Sequence, residues 1–231
     1  MTTPRATGKS VESSAPLPPR RMTAEGRRLQ IIRVVVQLVV QYGVQGTTTS
    51  RIAAAAGVSE KTLYNHFSSR RDMLLAALDL VFDRANELVR VRDEASAFER
   101  LRSIGRYHWD TVTAGEEGFV YPLYEFIAAP PEAGMRQRLR ERQLATVESI
   151  AQIIREGQAS GEVRPDVDAV QVAWELMAVY TSEDVYYLMG VEEFATNGRS
   201  KAMLDRILRD IATGKLENAQ ETQPKAGEGR D

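Results

Sequence analysis

Residues 47–72 read TTTSRIAAAAGVSEKTLYNHFSSRRD, and this stretch decides the fold. Thr48 stands where a short helix needs an N-cap, and the helix runs to about Ala56. Gly57 follows it and can take the left-handed conformation that closes a helix. Ser59 caps a second helix, expected to reach about Phe67. Ser69 and Asp72 then open a third. Two short helices joined by a tight turn containing glycine form the signature of a DNA-binding helix-turn-helix. In that motif the second helix lies in the major groove and its N-terminal residues meet base edges.

The longer string IAAAAGVSEKTLYNHFSSR resembles the helix-turn-helix of TetR-family transcriptional regulators. Ile52, Ala53, Ala56, Gly57, Val58, Ser59, Thr62, Leu63, Tyr64, His66, Phe67 and Ser69 stand at the family's motif positions. Arg70 stands where the family usually has lysine. Arg71 replaces a common glutamate, and Val34, Val35 and Val39 replace Ala, Ala and Phe in the preceding helix. The match runs from Arg27 to Leu75 and leaves most of the chain untouched.

The resemblance implies an all-α protein with two parts. An N-terminal three-helix DNA-binding domain spans 23–71, and a larger helical domain for effector binding and dimerisation spans 72–213. Composition adds a basic arm at 1–22 and a polar tail at 214–231, both too poor in apolar residues to offset the entropy of ordering. Arg20 and Arg21 close the arm, either solvated or near phosphates.

Charge divides along the same line. Residues 1–71 hold 11 Lys and Arg against 3 Asp and Glu, a net of +8. Residues 72–231 hold 19 against 29, a net of -10. A basic front on an acidic body points the front at a polyanion. The chain of 231 residues has no cysteine, which removes disulfides and thiolate chemistry and fits a reducing cytoplasm. The apolar run at 31–40 is broken by Arg33 and Gln37 and is too short to span a bilayer. No membrane partner is expected, nor a secretory signal.

The candidate DNA-contacting residues are Arg27, Thr48, Ser59, Glu60, Lys61, Thr62, Tyr64, Asn65, His66 and Arg70. By resemblance Tyr64 and His66 meet operator phosphates, with Thr48 and Arg70 beside them. Packing remains the alternative for Tyr64, and a corner position for His66. Glu60, Lys61, Thr62 and Asn65 are placed to meet bases. Glu accepts from cytosine, Lys donates to guanine, and Asn pairs with adenine. Glu60 has a second explanation, because a carboxylate is favourable at any helix N-terminus. Ala53 to Ala56 are small so that the two helices can approach. Arg27, Arg28 and Arg33 fall on a solvent or phosphate face of the first helix, which Thr23 caps and Gly43 ends.

Periodicity predicts a helix from Ser69 to about Arg92 and about five more over 93–215. One carries Phe98, Leu101, Ile104 and Trp109 and is interrupted at Gly115–Gly118. Phe119–Ala129 is a short aromatic segment stopped by two prolines. A long helix covers Met135–Gly157. Its residues Arg136, Arg138, Arg140 and Arg142 read as one solvated face paired with Glu132 and Glu141, with a second DNA site as the alternative. Asp166 or Asp168 caps a helix to about Met189, and a last one spans Lys201–Thr213.

The family's C-terminal domain holds an apolar pocket for a drug-sized or acyl-type effector. Trp109, Tyr121, Tyr124, Phe126, Trp174, Met177 and Tyr180 are the candidates to line it; ordinary core packing is the alternative for each. The resemblance also implies homodimerisation through the last two helices. It implies a double-stranded operator and a repressor released by a small hydrophobic or aromatic effector. An activator of the same fold, or a helical binding module with a vestigial DNA head, stays open. No catalytic, metal or cofactor motif is present. His108 and Asp110, two residues apart, do not face each other on a helix.

Overall fold

A computed structural model of the protein describes residues 22–87, 89, 96–112, 119–130 and 134–213. The expectations for 1–21 and 214–231, and for the break at Gly115–Gly118, lie outside the described residues. Among the described residues the regular structure is helical, with one isolated bridge between Val163 and Ala212. No described helix is long and apolar enough to cross a membrane.

α1 covers Ala24–Gly46, and the Thr23 hydroxyl accepts from the Gly26 N–H at 3.0 Å. Its β-branched run is held by burial: Ile31, Val35, Val36 and Val39 are all in the core. Gly43 does break the helix, at φ 68° and ψ 171°, but the chain then makes one further turn to Gly46. Thr47 follows, fully buried, its hydroxyl on the Gly43 carbonyl at 2.8 Å.

α2 is Thr49–Ala56 and is capped by Thr48. Gly57 closes it at φ 65°, ψ 35°, a conformation a β-carbon penalises. Of the four alanines only Ala53 and Ala56 are buried, three residues apart on one face; Ala54 and Ala55 face solvent. α3 is Glu60–Tyr64, shorter than expected. The chain must turn before α4, so Phe67 folds back into the core while its N–H still reaches the Leu63 carbonyl at 3.0 Å. α4 runs Arg70–Ala85 under the Ser69 cap and stops well before Arg92. There the Asn86 side chain takes the Phe82 carbonyl at 2.9 Å, an alternative to continuing the helix.

α5 is Ala97–Val112, α6 Val120–Ala128 and α7 Met135–Ser160. α8 is Ala169–Leu188, α9 Glu193–Thr196 and α10 Arg199–Ile211. Asp168 caps α8, accepting from Val170 at 2.9 Å and Gln171 at 3.1 Å. α9 carries no signal in the sequence, because four residues are too few to display a helical period.

Two apolar cores organise these elements. One joins α1 to α4 and also takes in Phe119, Val120, Leu123 and Phe126 of the α6 segment. The other joins α5, α7, α8 and α10. α6 therefore packs on the head, although Phe119 lies 47 positions after Asp72 in the chain.

α7 splits its arginines by helical phase. Arg138 and Arg142, one turn apart, reach back to α4: Arg138 to Asp79 at 3.4 Å and Arg142 to Asp83 at 2.5 Å. Arg138 also meets Glu141 at 3.9 Å. Arg136 and Arg140 point elsewhere, so the single solvated face read from sequence is two faces; Glu132 lies outside the described residues.

Candidate DNA interface and effector cavity

The head presents α3 with one side buried and one bare. Leu63 and Phe67 sit in the core, while Ser59, Glu60, Lys61, Tyr64 and Asn65 are exposed. Tyr64 is 49% exposed. Thr62 and His66 are half-buried beside them, and Thr48 is exposed at the start of α2. The Ser59 hydroxyl accepts from the Thr62 N–H at 3.1 Å and lies 2.8 Å from the Thr62 hydroxyl. That exchange fixes the first turn of α3 and aims Lys61, Tyr64 and Asn65 outward together.

Three arginines brace this head. Arg28 donates to the His66 carbonyl at 2.5 Å and stacks over the Phe67 ring at 4.1 Å, holding the end of α3. Arg51 covers Tyr42 at 4.5 Å. Arg70 donates from Nε to the Thr47 carbonyl at 2.7 Å, and from Nη2 to the Val44 carbonyl. The guanidinium read as a phosphate contact is thus turned onto the end of α1. Arg27 pairs with Gln30 at 2.8 Å, one turn along its own helix.

A cavity of about 430 Å³ lies between α4, α5, α6, α7 and α8. Of the seven aromatic and apolar candidates, Tyr124, Phe126, Met177 and Tyr180 line it. Trp109 borders a second cavity instead, of about 750 Å³, between α5, α8 and α10. Tyr121 is exposed and sits edge-on to Tyr187 at 6.1 Å. Trp174 is 43% exposed on the outer face of α8. Helical phase separates Trp174 from Met177 and Tyr180, which turn inward. The cavity opens where the exposed Ile127, Arg136 and Arg140 border it.

The sequence reading passed over the polar end of this cavity. His108 of α5 has only 12% of its side chain exposed and stacks on Tyr180 at 4.8 Å. Its Nδ1 lies 2.9 Å from Glu183 Oε2 and its Nε2 3.3 Å from Asp184 Oδ1. Burial disfavours the charged ring, but the two carboxylates outweigh it and raise its pKa to about 9. Burial and the Asp184 carboxylate push the Tyr124 phenol upward. The acids approach opposite ring nitrogens rather than one point, so the trio is not a metal cradle; among the described residues no cluster suits a metal. Seventy-five residues separate His108 from Glu183, so no local motif could announce the pair.

Comparison with known proteins settles the family. Residues 31–77 match the family model for bacterial regulatory proteins of the tetR family, and residues 122–184 match the tetracyclin repressor-like C-terminal domain. The chain belongs to the TetR family. It is a DNA-binding transcriptional regulator with an effector-type C-terminal domain, and not an enzyme. This TetR-family regulator is similar to the fatty acid metabolism regulator protein of Bacillus subtilis (strain 168). The two are 23% identical over 186 residues, covering 79% of this chain and 94% of that protein. It is also similar to the nucleoid occlusion factor SlmA of Marinomonas sp. (strain MWYL1), with 26% identity over 170 residues, 70% of this chain and 83% of that one. Among solved structures, a TetR-family transcriptional regulator from Rhodococcus sp. aligns with a TM-score of 0.66 at 26% identity, covering 81% of this chain and 99% of its own. FadR of Bacillus subtilis in complex with stearoyl-CoA aligns with a TM-score of 0.62 at 21% identity, covering 79% and 98%.

Proposed function

We propose that this regulator is a repressor that binds a palindromic operator as a homodimer and leaves it when an apolar or aromatic effector occupies the α4–α8 cavity. The observation that carries the reading is the double membership of α6. Leu123 and Phe126 line the cavity and also pack in the head's core. Phe82 of α4 does the same. A ligand that displaces α6 or α4 must therefore disturb the seating of the head. Such coupling requires different affinities of the ligand for the two arrangements.

In this proposal Lys61, Tyr64 and Asn65 form the centre of the DNA contact, with Thr48, Glu60 and Thr62 at its edge. Ser59 acts chiefly as the cap. Arg70 supports the head, and its contribution to phosphates is indirect. Twofold pairing is supported by α8, where Val170, Trp174, Ala178, Thr181, Val185 and Met189 are all exposed. Their steps of three and four residues make one stripe along the helix, suited to a second copy of itself. Met203 adds an exposed apolar side chain on α10.

Selection from a random duplex pool tests this. Recovered sequences are expected to carry an inverted repeat with half-sites about one helical turn apart, or a multiple of it. Recovery of single half-sites, or of no consensus, overturns the homodimeric operator reading.

A further inference from the structure

We propose that Asp184 is the anchor that selects the effector, and that the effector carries a cationic amine on an apolar or aromatic body. The inference rests on the reading of the α4–α8 cavity as the effector site, and it names the chemistry that site demands.

Glu183 and Asp184 are consecutive on α8 and are only 7% and 6% exposed. Neighbours on a helix point about 100° apart, so they serve different walls. Asp184 borders the first cavity, Glu183 the second. His108 sits between them and can answer only one negative charge. With both acids ionised, the buried trio keeps one charge uncompensated, which is costly in a low-dielectric interior.

The deficit falls on Asp184. Its Oδ1 is buried and has no hydrogen-bond partner among the described residues. His108 Nε2 approaches it to 3.3 Å but off the line of a hydrogen bond. The Tyr180 hydroxyl is equally buried and unpartnered. Asp184 borders a cavity otherwise walled by Phe119, Phe126 and Tyr124, and a carboxylate there suits an ammonium group, which also gains from ring faces. Arg136 and Arg140 border the same cavity with opposite charge, but both are exposed and keep water as a partner. The unmet demand is at the buried end. A plain acyl chain, ending in a methyl group, cannot meet it.

Isothermal titration of the full-length protein with decylamine, decanol and decanoate, each below its micelle concentration, separates the cases. One decylamine per chain is expected to bind at least about tenfold tighter than decanol, with decanoate weakest. In Asp184→Asn that preference is expected to vanish, decylamine then binding no tighter than decanol. Equal binding of all three to the wild type, or tighter binding of decanoate, overturns the inference and leaves the cavity reading intact. Persistence of the amine preference in Asp184→Asn overturns Asp184 as its source. Binding of none overturns the effector cavity itself. The wild-type ranking stands as a test even where the variant fails to fold.

Discussion

The Arg70 guanidinium, at the first residue of α4, holds the Thr47 carbonyl at the end of α1 over 2.7 Å, and the Val44 carbonyl with its other arm. A fork of this kind braces the corner on which α2 and α3 are mounted. Arg70→Ala is expected to cost about 2–4 kcal/mol, since charge-assisted bonds are lost and two carbonyls lose their donor. Arg70→Lys recovers only part, because an ammonium cannot serve both acceptors as a planar fork does. Thermal unfolding of the apo protein measures this. Melting temperatures unchanged in both variants, with DNA affinity reduced, would return Arg70 to the phosphate contacts.

Tyr64 has the opposite profile. Half its surface is bare, and its neighbours Leu63 and Phe67 carry the packing. Tyr64→Phe is expected to leave stability within about 0.5 kcal/mol. It should weaken all duplexes alike, by roughly fivefold for one lost hydrogen bond. Anisotropy titrations on several sequences check the uniformity; a loss confined to one base position would place Tyr64 on a base instead.

The head was legible because its signals are local. Thr23, Thr48, Ser59 and Asp168 all cap helices as the sequence indicates, and Gly43 and Gly57 both take positive φ. Each of these choices is decided within four residues. What the sequence hid was decided across the fold. Arg70 faces carbonyls 23 and 26 residues back, and His108 meets acids on another helix. Trp174, Met177 and Tyr180 read alike as aromatic or apolar helix residues. Only the direction in which α8 packs tells which of them faces the cavity. Nor does the sequence show that α6, far along the chain, packs against the core of α1 to α4.

Gly43 is where that packing can be probed. A β-carbon there would stand 3.3 Å from Glu125 Oε2 of α6, on a backbone at φ 68°. Gly43→Ala is expected to destabilise by about 1–3 kcal/mol, chiefly through a φ/ψ pair that is open essentially to glycine alone. Adding Glu125→Ala relieves the contact but not the dihedral, so most of the loss should remain. Denaturant unfolding of the single and double variants measures the difference. Full recovery in the double variant would show that crowding, not φ, sets the cost.

His108 links stability to pH. Its folded pKa of about 9 lies above the unperturbed 6.5, so protonation favours the native state. That stabilisation is present in full below pH 6.5 and is lost as pH rises through 9. Between those limits the melting temperature of the wild type should fall more steeply than that of His108→Gln. Parallel curves would mean that Glu183 and Asp184 do not hold the ring charged.

Trp174 tests the pairing of two copies. It stands on the stripe from Val170 to Met189, 43% exposed and clear of the cavity. If that stripe meets its copy across a twofold axis, Trp174→Arg sets two cations against each other at the seam. The variant should keep its helical content yet elute as a monomer in light-scattering chromatography. A monomer holds one recognition helix to the duplex, so affinity should fall by on the order of a thousandfold, towards the nonspecific level. Binding of the cavity probes should survive, because Trp174 does not line that wall. A variant that stays dimeric with full DNA affinity would move the interface off α8.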